Sequence, residues 1–205
     1  GPNGCGKTTT IAMILGLLKP TKGKVLINGM NIEKNKISVL HKMNFISPYI
    51  ELPKKLKVKQ NLIVYGKLYN VKNLTNRIEY LANKLRLNEL LDKITGELSS
   101  GQKNRVSLAK ALINDPTVLL LDEPTASLDP ETGDFIRTFL ENYKKEKKIS
   151  VLLASHNMDE VKRLCSSVLM MKNGMIVDRG APNDLISKYG RRNLEEVFLT
   201  IARNE

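Results

Sequence analysis

Hydrophobic positions along the chain follow two alternating periods. Residues 24–28 (KVLIN), 117–122 (TVLLLD) and 149–155 (ISVLLAS) read as strands. The last two are apolar at nearly every position, the pattern of a parallel sheet covered on both faces. Apolar residues recur at the helical period over 6–17, 102–114, 131–145 and 157–165; in 102–114 the stripe is Val106, Ala109, Leu112 and Ile113. Strands alternating with helices predict an α/β fold. Residues 167–180 differ, because two β-rich runs flank Asn173-Gly174, the dipeptide that most favours a two-residue hairpin. Over about 48–97 the pattern turns helical, in VKQNLIVYGKLYN and NLTNRIEYLANKLRL, and predicts a helical insert set against the sheet.

Composition narrows the class. A chain of 205 residues, 41% hydrophobic, can bury the core of one sizeable domain with a small inserted subdomain. No apolar run reaches the ~18 residues of a membrane span, and no signal-peptide pattern is seen. Two cysteines, Cys5 and Cys165, are too few for a disulfide framework and suit a reducing compartment. The net charge of +12 fits an anionic partner (nucleotide, nucleic acid or an acidic membrane leaflet) or simply a lysine-rich proteome. The runs KKLKVK (54–59) and KKEKK (144–148) read as solvated faces. Aromatics at 5%, without Trp, argue against a base-stacking surface.

Chemistry enters with GPNGCGKTTT. Gly1, Gly6, Lys7 and Thr8 stand in G-x-x-x-x-G-K-T spacing, that of a phosphate-binding loop. Glycines let backbone N–H groups curl around a β-phosphate, Lys7 reaches the β- and γ-phosphates, and the Thr8 hydroxyl can ligate Mg²⁺. ATP is accordingly expected on Gly1, Asn3, Gly4, Cys5, Gly6, Lys7, Thr8 and Thr9. Such a loop hangs between a strand and a helix, so a feeding strand and any adenine-contacting group are expected upstream of Gly1, in an N-terminally truncated domain. Cys5, at a helix start beside Lys7, predicts a reactive thiol that ATP would shield; the plain alternative is a small side chain at a variable position. In VLLLDEPTASLD an apolar strand ends in Asp122 and Glu123, one placed to hold Mg²⁺ and the other to polarise an attacking water. LSSGQ (98–102) puts small polar residues ahead of a helix, a second anion-seeking helix start.

With these motifs in this order, the chain resembles the nucleotide-binding domain of ATP-binding-cassette (ABC) transporters over essentially its whole length. GPNGCGKTT matches the phosphate loop, LSSGQ the signature usually written LSGGQ, VLLLDEP the acidic strand, SLD (127–129) the D-loop, and ASH (154–156) the switch strand with His156. The tail GAPNDLISKYGRRNLEEVFLTIA is similar to that of single-cassette exporters. The resemblance implies a P-loop NTPase with a mostly parallel sheet and a C-terminal β-hairpin, its core formed by 1–47 and 98–205 and an inserted α-helical subdomain by 48–97. It implies an ATP-hydrolysing subunit of a transporter, of exporter type, peripheral on the cytoplasmic face of the membrane. ATP would drive a homodimer or heterodimer of ATPase domains, and 48–97 would dock on separate permease subunits. Ser99, Ser100, Gly101 and Gln102 would cap the γ-phosphate of the neighbouring copy. Thr8 and Asp122 would hold Mg²⁺, Glu123 would act as general base, His156 would orient it, and Asp129 would bridge the two copies. His41 lacks such a context and reads as ordinary surface or core; Lys103 and Arg105 could face phosphate, but solvation is the plainer reading.

One element of the family pattern is missing. A glutamine normally ends the strand leading into the helical subdomain, whereas KMNFISPYIELP offers Ser47, Pro48 or Tyr49, and Gln60 lies in a predicted helix. Two rival readings stand beside the first. A soluble ABC ATPase acting on the ribosome or nucleic acid is favoured slightly by the charge, but the short gap between phosphate loop and signature and the single cassette oppose it, so no nucleic acid is expected. A non-hydrolysing regulator is opposed by the intact Glu123 and His156.

Overall fold

The computed structural model of the chain describes residues 1–2 and 4–203; Asn3, expected to contact ATP, lies outside them. In chain order the elements are α1 (Lys7–Ile14), β1 (Leu26–Ile27), β2 (Met30–Asn31), α2 (Lys36–Leu40), β3 (Met43–Ile46), α3 (Val58–Leu68), α4 (Leu74–Lys84), α5 (Ser100–Leu112), β4 (Val118–Asp122), α6 (Pro130–Lys147), β5 (Ser150–Ala154), α7 (Met158–Leu164), β6 (Val168–Lys172), β7 (Met175–Gly180), α8 (Pro182–Lys188) and α9 (Leu194–Arg203). They form two compact units, one of Gly1–Val39 with Leu153–Glu205, the other of Leu40–Leu152. Among the described residues no helix is long and apolar enough to cross a membrane.

The unit of Leu40–Leu152 is built on a sheet of order β3-β4-β5, with β3 and β4 parallel from Met43↔Val118 to Ile46↔Leu121. Leu119, Leu120 and Leu121 are fully buried, which explains why β4 is apolar at successive positions rather than alternate ones. Leu62 of α3, Leu81 of α4 and Leu108 and Leu112 of α5 complete this core. Polar residues stitch its ends. Arg77 donates to the Ile113 carbonyl at 3.3 Å and the Tyr143 hydroxyl at 3.1 Å, and pairs with Asp115 at 3.2 Å. Asn114 donates to the carbonyls of His41 and Met43, tying the end of α5 to β3. His41 is exposed, and its ring meets Tyr69 edge-on, centroids 6.0 Å apart.

In the unit of Gly1–Val39 and Leu153–Glu205, β6 and β7 form the predicted hairpin, turning at Asn173 (φ 50°) and Gly174 (φ 76°), the left-handed pair that a type I′ turn demands. Residues 24–28 do not join the parallel sheet. Their β1 segment makes a two-residue antiparallel hairpin with β2 across Asn28 and Gly29. Val161, Met170, Leu185, Leu194 and Val197 bury one another in the core of this unit. Lys172 donates to the Ile201 and Ala202 carbonyls at 2.7 and 3.0 Å, satisfying the C-terminal end of α9.

Candidate functional site

The loop before α1 is shaped by its glycines. Gly4 (φ 76°) and Gly6 (φ 102°) occupy the left-handed region, where a side chain strains the backbone, and between them the Cys5 N–H donates to the Pro2 carbonyl at 3.3 Å. Among the described residues no side chain caps α1 at Gly6. The Lys7 ammonium folds over the loop, donating to the Gly1 carbonyl at 2.6 Å and the Pro2 carbonyl at 3.0 Å. Thr8 and Thr9 are exposed at the helix start. The same unit carries His156, exposed between the end of β5 and the start of α7; α7 is capped by Asn157, whose side chain accepts from the Glu160 N–H at 3.1 Å.

The remaining expected residues belong to the other unit. Asp122 ends β4, buried to 8% exposure, and accepts a hydrogen bond from the Ser47 hydroxyl at 3.3 Å. Glu123 follows in the left-handed region (φ 49°), strain of the kind that gathers at functional sites. Ser99 caps α5 with a complete capping box: its hydroxyl accepts from the Gln102 N–H, and the Gln102 side chain accepts from the Ser99 N–H. Ser99 and Ser100 are exposed, while Gly101 lies tight on α6, where an added Cβ would stand 3.1 Å from Thr132 Cγ2. Asp129 is exposed and caps α6; the Thr132 backbone N–H that it accepts holds its carboxyl below the usual carboxylate range. A cleft of about 220 Å³ is lined by Ser47, Glu123, Ser127, Ser100, Lys103 and Asn104, so the end of β3, the signature start and the segment after β4 meet in one place. Arg105 is half-buried and donates to the carbonyls of Leu85 and Arg86, at 3.3 and 3.0 Å.

Residues 1–126 match the ABC transporter family. The chain is 34% identical over 203 residues to the ABC transporter ATP-binding protein NatA of Bacillus subtilis, covering 98% of this chain and 82% of that protein. The chain belongs to the ABC transporter family. It is an ATP-binding, ATP-hydrolysing subunit of that family, with the P-loop α/β fold. It is also 35% identical over 198 residues to the bacitracin transport ATP-binding protein BcrA of Bacillus licheniformis, covering 95% of this chain and 63% of that one. Against the Nod factor export ATP-binding protein I of Paraburkholderia xenovorans, identity is 34%, with 97% and 66% covered. Among solved structures, an ATP binding subunit of an ABC transporter superposes with a TM-score of 0.87 at 27% identity, covering 98% of this chain and 85% of that one. The cbiO1 protein of Clostridium perfringens gives 0.80 at 31%, covering 99% and 81%.

Two features of this ABC ATPase differ from what its motifs announce. Cys5 is buried to 3% exposure, its sulfur packed so close under Gly1 that a Cβ there would come within 2.5 Å of it. The loop rests on the β6–β7 turn, with the Gly174 N–H donating to the Cys5 carbonyl at 3.0 Å. The protein itself therefore shields the thiol that sequence marked as reactive, since reactivity needs access as well as a helix start. The second feature is the Ser47–Asp122 bond, which the sequence does not announce. Its only signal is that a parallel register pairing Ile46 with Leu121 brings the next residues of the two strands side by side.

Proposed function

We propose that this subunit hydrolyses ATP in a head-to-tail pair of cassettes, with each nucleotide held by the phosphate loop of one copy and capped by the signature helix of the other. The observation that carries the reading is the exposure of Ser99 and Ser100 at the start of α5, a 13-residue helix whose N-terminal partial charge faces outward. In this scheme Lys7 and the amides of the glycine loop hold the phosphates of ATP. Asp129, kept charged at the start of α6, bridges to the partner copy. Trans elements in other phosphoryl-transfer enzymes contribute about 10³–10⁵ in rate, and a general base such as Glu123 about 10²–10⁴. His156 orients Glu123 and the γ-phosphate.

A hard cation such as Mg²⁺ takes hydroxyl and carboxylate oxygens, the donor types that the family resemblance assigns to it in Thr8, exposed at the start of α1, and Asp122, at the end of β4. Held by those residues, Mg²⁺ would supply neutralisation of the phosphate charge.

The helical subdomain over 48–97 docks on permease subunits at the cytoplasmic face of the membrane. Tyr49 at 85% exposure and Leu68 at 68%, with Ile50 and Val64 also exposed, support this. The name of the Nod factor export relative favours an exporter. Glu123→Gln tests the pairing: with saturating MgATP it should elute at twice the monomer mass, and elution as a monomer would refute the sandwich.

A further inference from the structure

We infer that Ser47 is a positioning residue for the Asp122 carboxylate, and through it for the metal of MgATP. The inference rests on reading Asp122 as a magnesium ligand. Both side chains are withdrawn from solvent, at 7% and 8% exposure, and their bond runs between neighbouring ends of parallel strands. An ionised carboxylate only accepts, so the direction is fixed: the Ser47 hydroxyl donates to Asp122 Oδ2. The Ser47 hydroxyl oxygen itself accepts from the Tyr49 N–H at 3.4 Å, and the Ile50 N–H donates to the Ser47 carbonyl at 3.2 Å. The turn after β3 thus sets the serine, and the serine sets the rotation of the carboxylate. At 3.3 Å the bond is longer than the ~2.8 Å typical of a hydroxyl–oxygen contact. Ser47 and Glu123, the residue after Asp122, line the same cleft. Outer-shell partners of this kind orient a metal-binding carboxylate, and their loss costs about 10–100-fold in metal affinity.

The test is the affinity of the ADP-loaded protein for Mn²⁺, read by electron paramagnetic resonance, beside its affinity for ADP in EDTA. Ser47→Ala should weaken Mn²⁺ about tenfold, Ser47→Thr, which keeps the hydroxyl, should stay within about twofold of the parent, and ADP binding in EDTA should be unchanged in both. Unchanged Mn²⁺ affinity in Ser47→Ala, an equal loss in Ser47→Thr, or a parallel loss of metal-free ADP binding would each overturn the inference. Asp122→Asn separates it from the reading beneath. If that variant loses Mn²⁺ while Ser47→Ala does not, only the role of Ser47 fails. If Asp122→Asn keeps Mn²⁺, the assignment of Asp122 fails with it.

Discussion

Lys110 offers a quantitative check on how the sheet and the signature helix are joined. It lies on α5 and is largely buried, its ammonium donating to the Phe45 carbonyl at 3.1 Å and lying 5.5 Å from the Tyr65 ring centroid. Burial pushes its pKa down from 10.5 to about 8. That displacement corresponds to about 3 kcal/mol of disfavour for the charged form in the fold. Between the two values the unfolded chain binds more protons than the native one, so stability rises with pH across that window and the cost is fully present below pH 8. Between pH 7 and pH 10 the lysine should thus regain about 2 kcal/mol. Lys110→Met removes the titration and keeps the packing, at the loss of about 1–2 kcal/mol for the stranded Phe45 carbonyl. Urea unfolding of parent and variant at pH 7 and pH 10 isolates the effect, because all other groups titrate in both proteins. Lys110→Met should be the more stable at pH 7, and its advantage should vanish or reverse by pH 10. A stability difference independent of pH would show that the lysine is not desolvated and refute the reasoning.

Asp178 accepts from Lys188 at 2.8 Å and from the Tyr189 hydroxyl at 2.9 Å, and the Lys188 ammonium foremost holds its carboxyl below the usual carboxylate range. Its contribution is therefore present above the unfolded carboxylate pKa and lost as pH falls through the lowered folded value, so Asp178→Asn should lower Tm at pH 7 and converge with the parent in acid. Gly6→Ala should lose nucleotide affinity and about 1–2 kcal/mol of stability, read by fluorescent-nucleotide titration and thermal melts. An added Cβ at Gly6 meets only ordinary contacts, such as Gly174 Cα at 3.5 Å, so the φ of 102° is the cause.

Legibility in the sequence followed the length and continuity of the signal. Leu119 to Leu121 mark β4 because a doubly covered strand has no polar face to blur the run. Asn173-Gly174 marks its hairpin because two long β-rich arms flank it. Asn28-Gly29 carries the same signal, yet arms of two residues each leave no period to read, and the partner strand β2 escapes notice. The five-residue α2 is missed for the same reason. At the site, residue types could be read but their surroundings could not. Cys5 is buried, its carbonyl bonded to the distant β6–β7 turn, and Ser47 meets Asp122 through strand register. The left-handed backbone at Glu123 is likewise set by the chain turning out of β4.

The central claim is that one ATP site is made from two copies. Mixing Lys7→Ala, which cannot hold phosphate, with Ser99→Arg, which cannot cap a neighbour, tests it most directly by ATPase activity. Each variant alone should be inactive, and the mixture should recover activity, because a mixed pair contains one site with an intact loop and an intact signature. A mixture as inactive as its components would contradict the account.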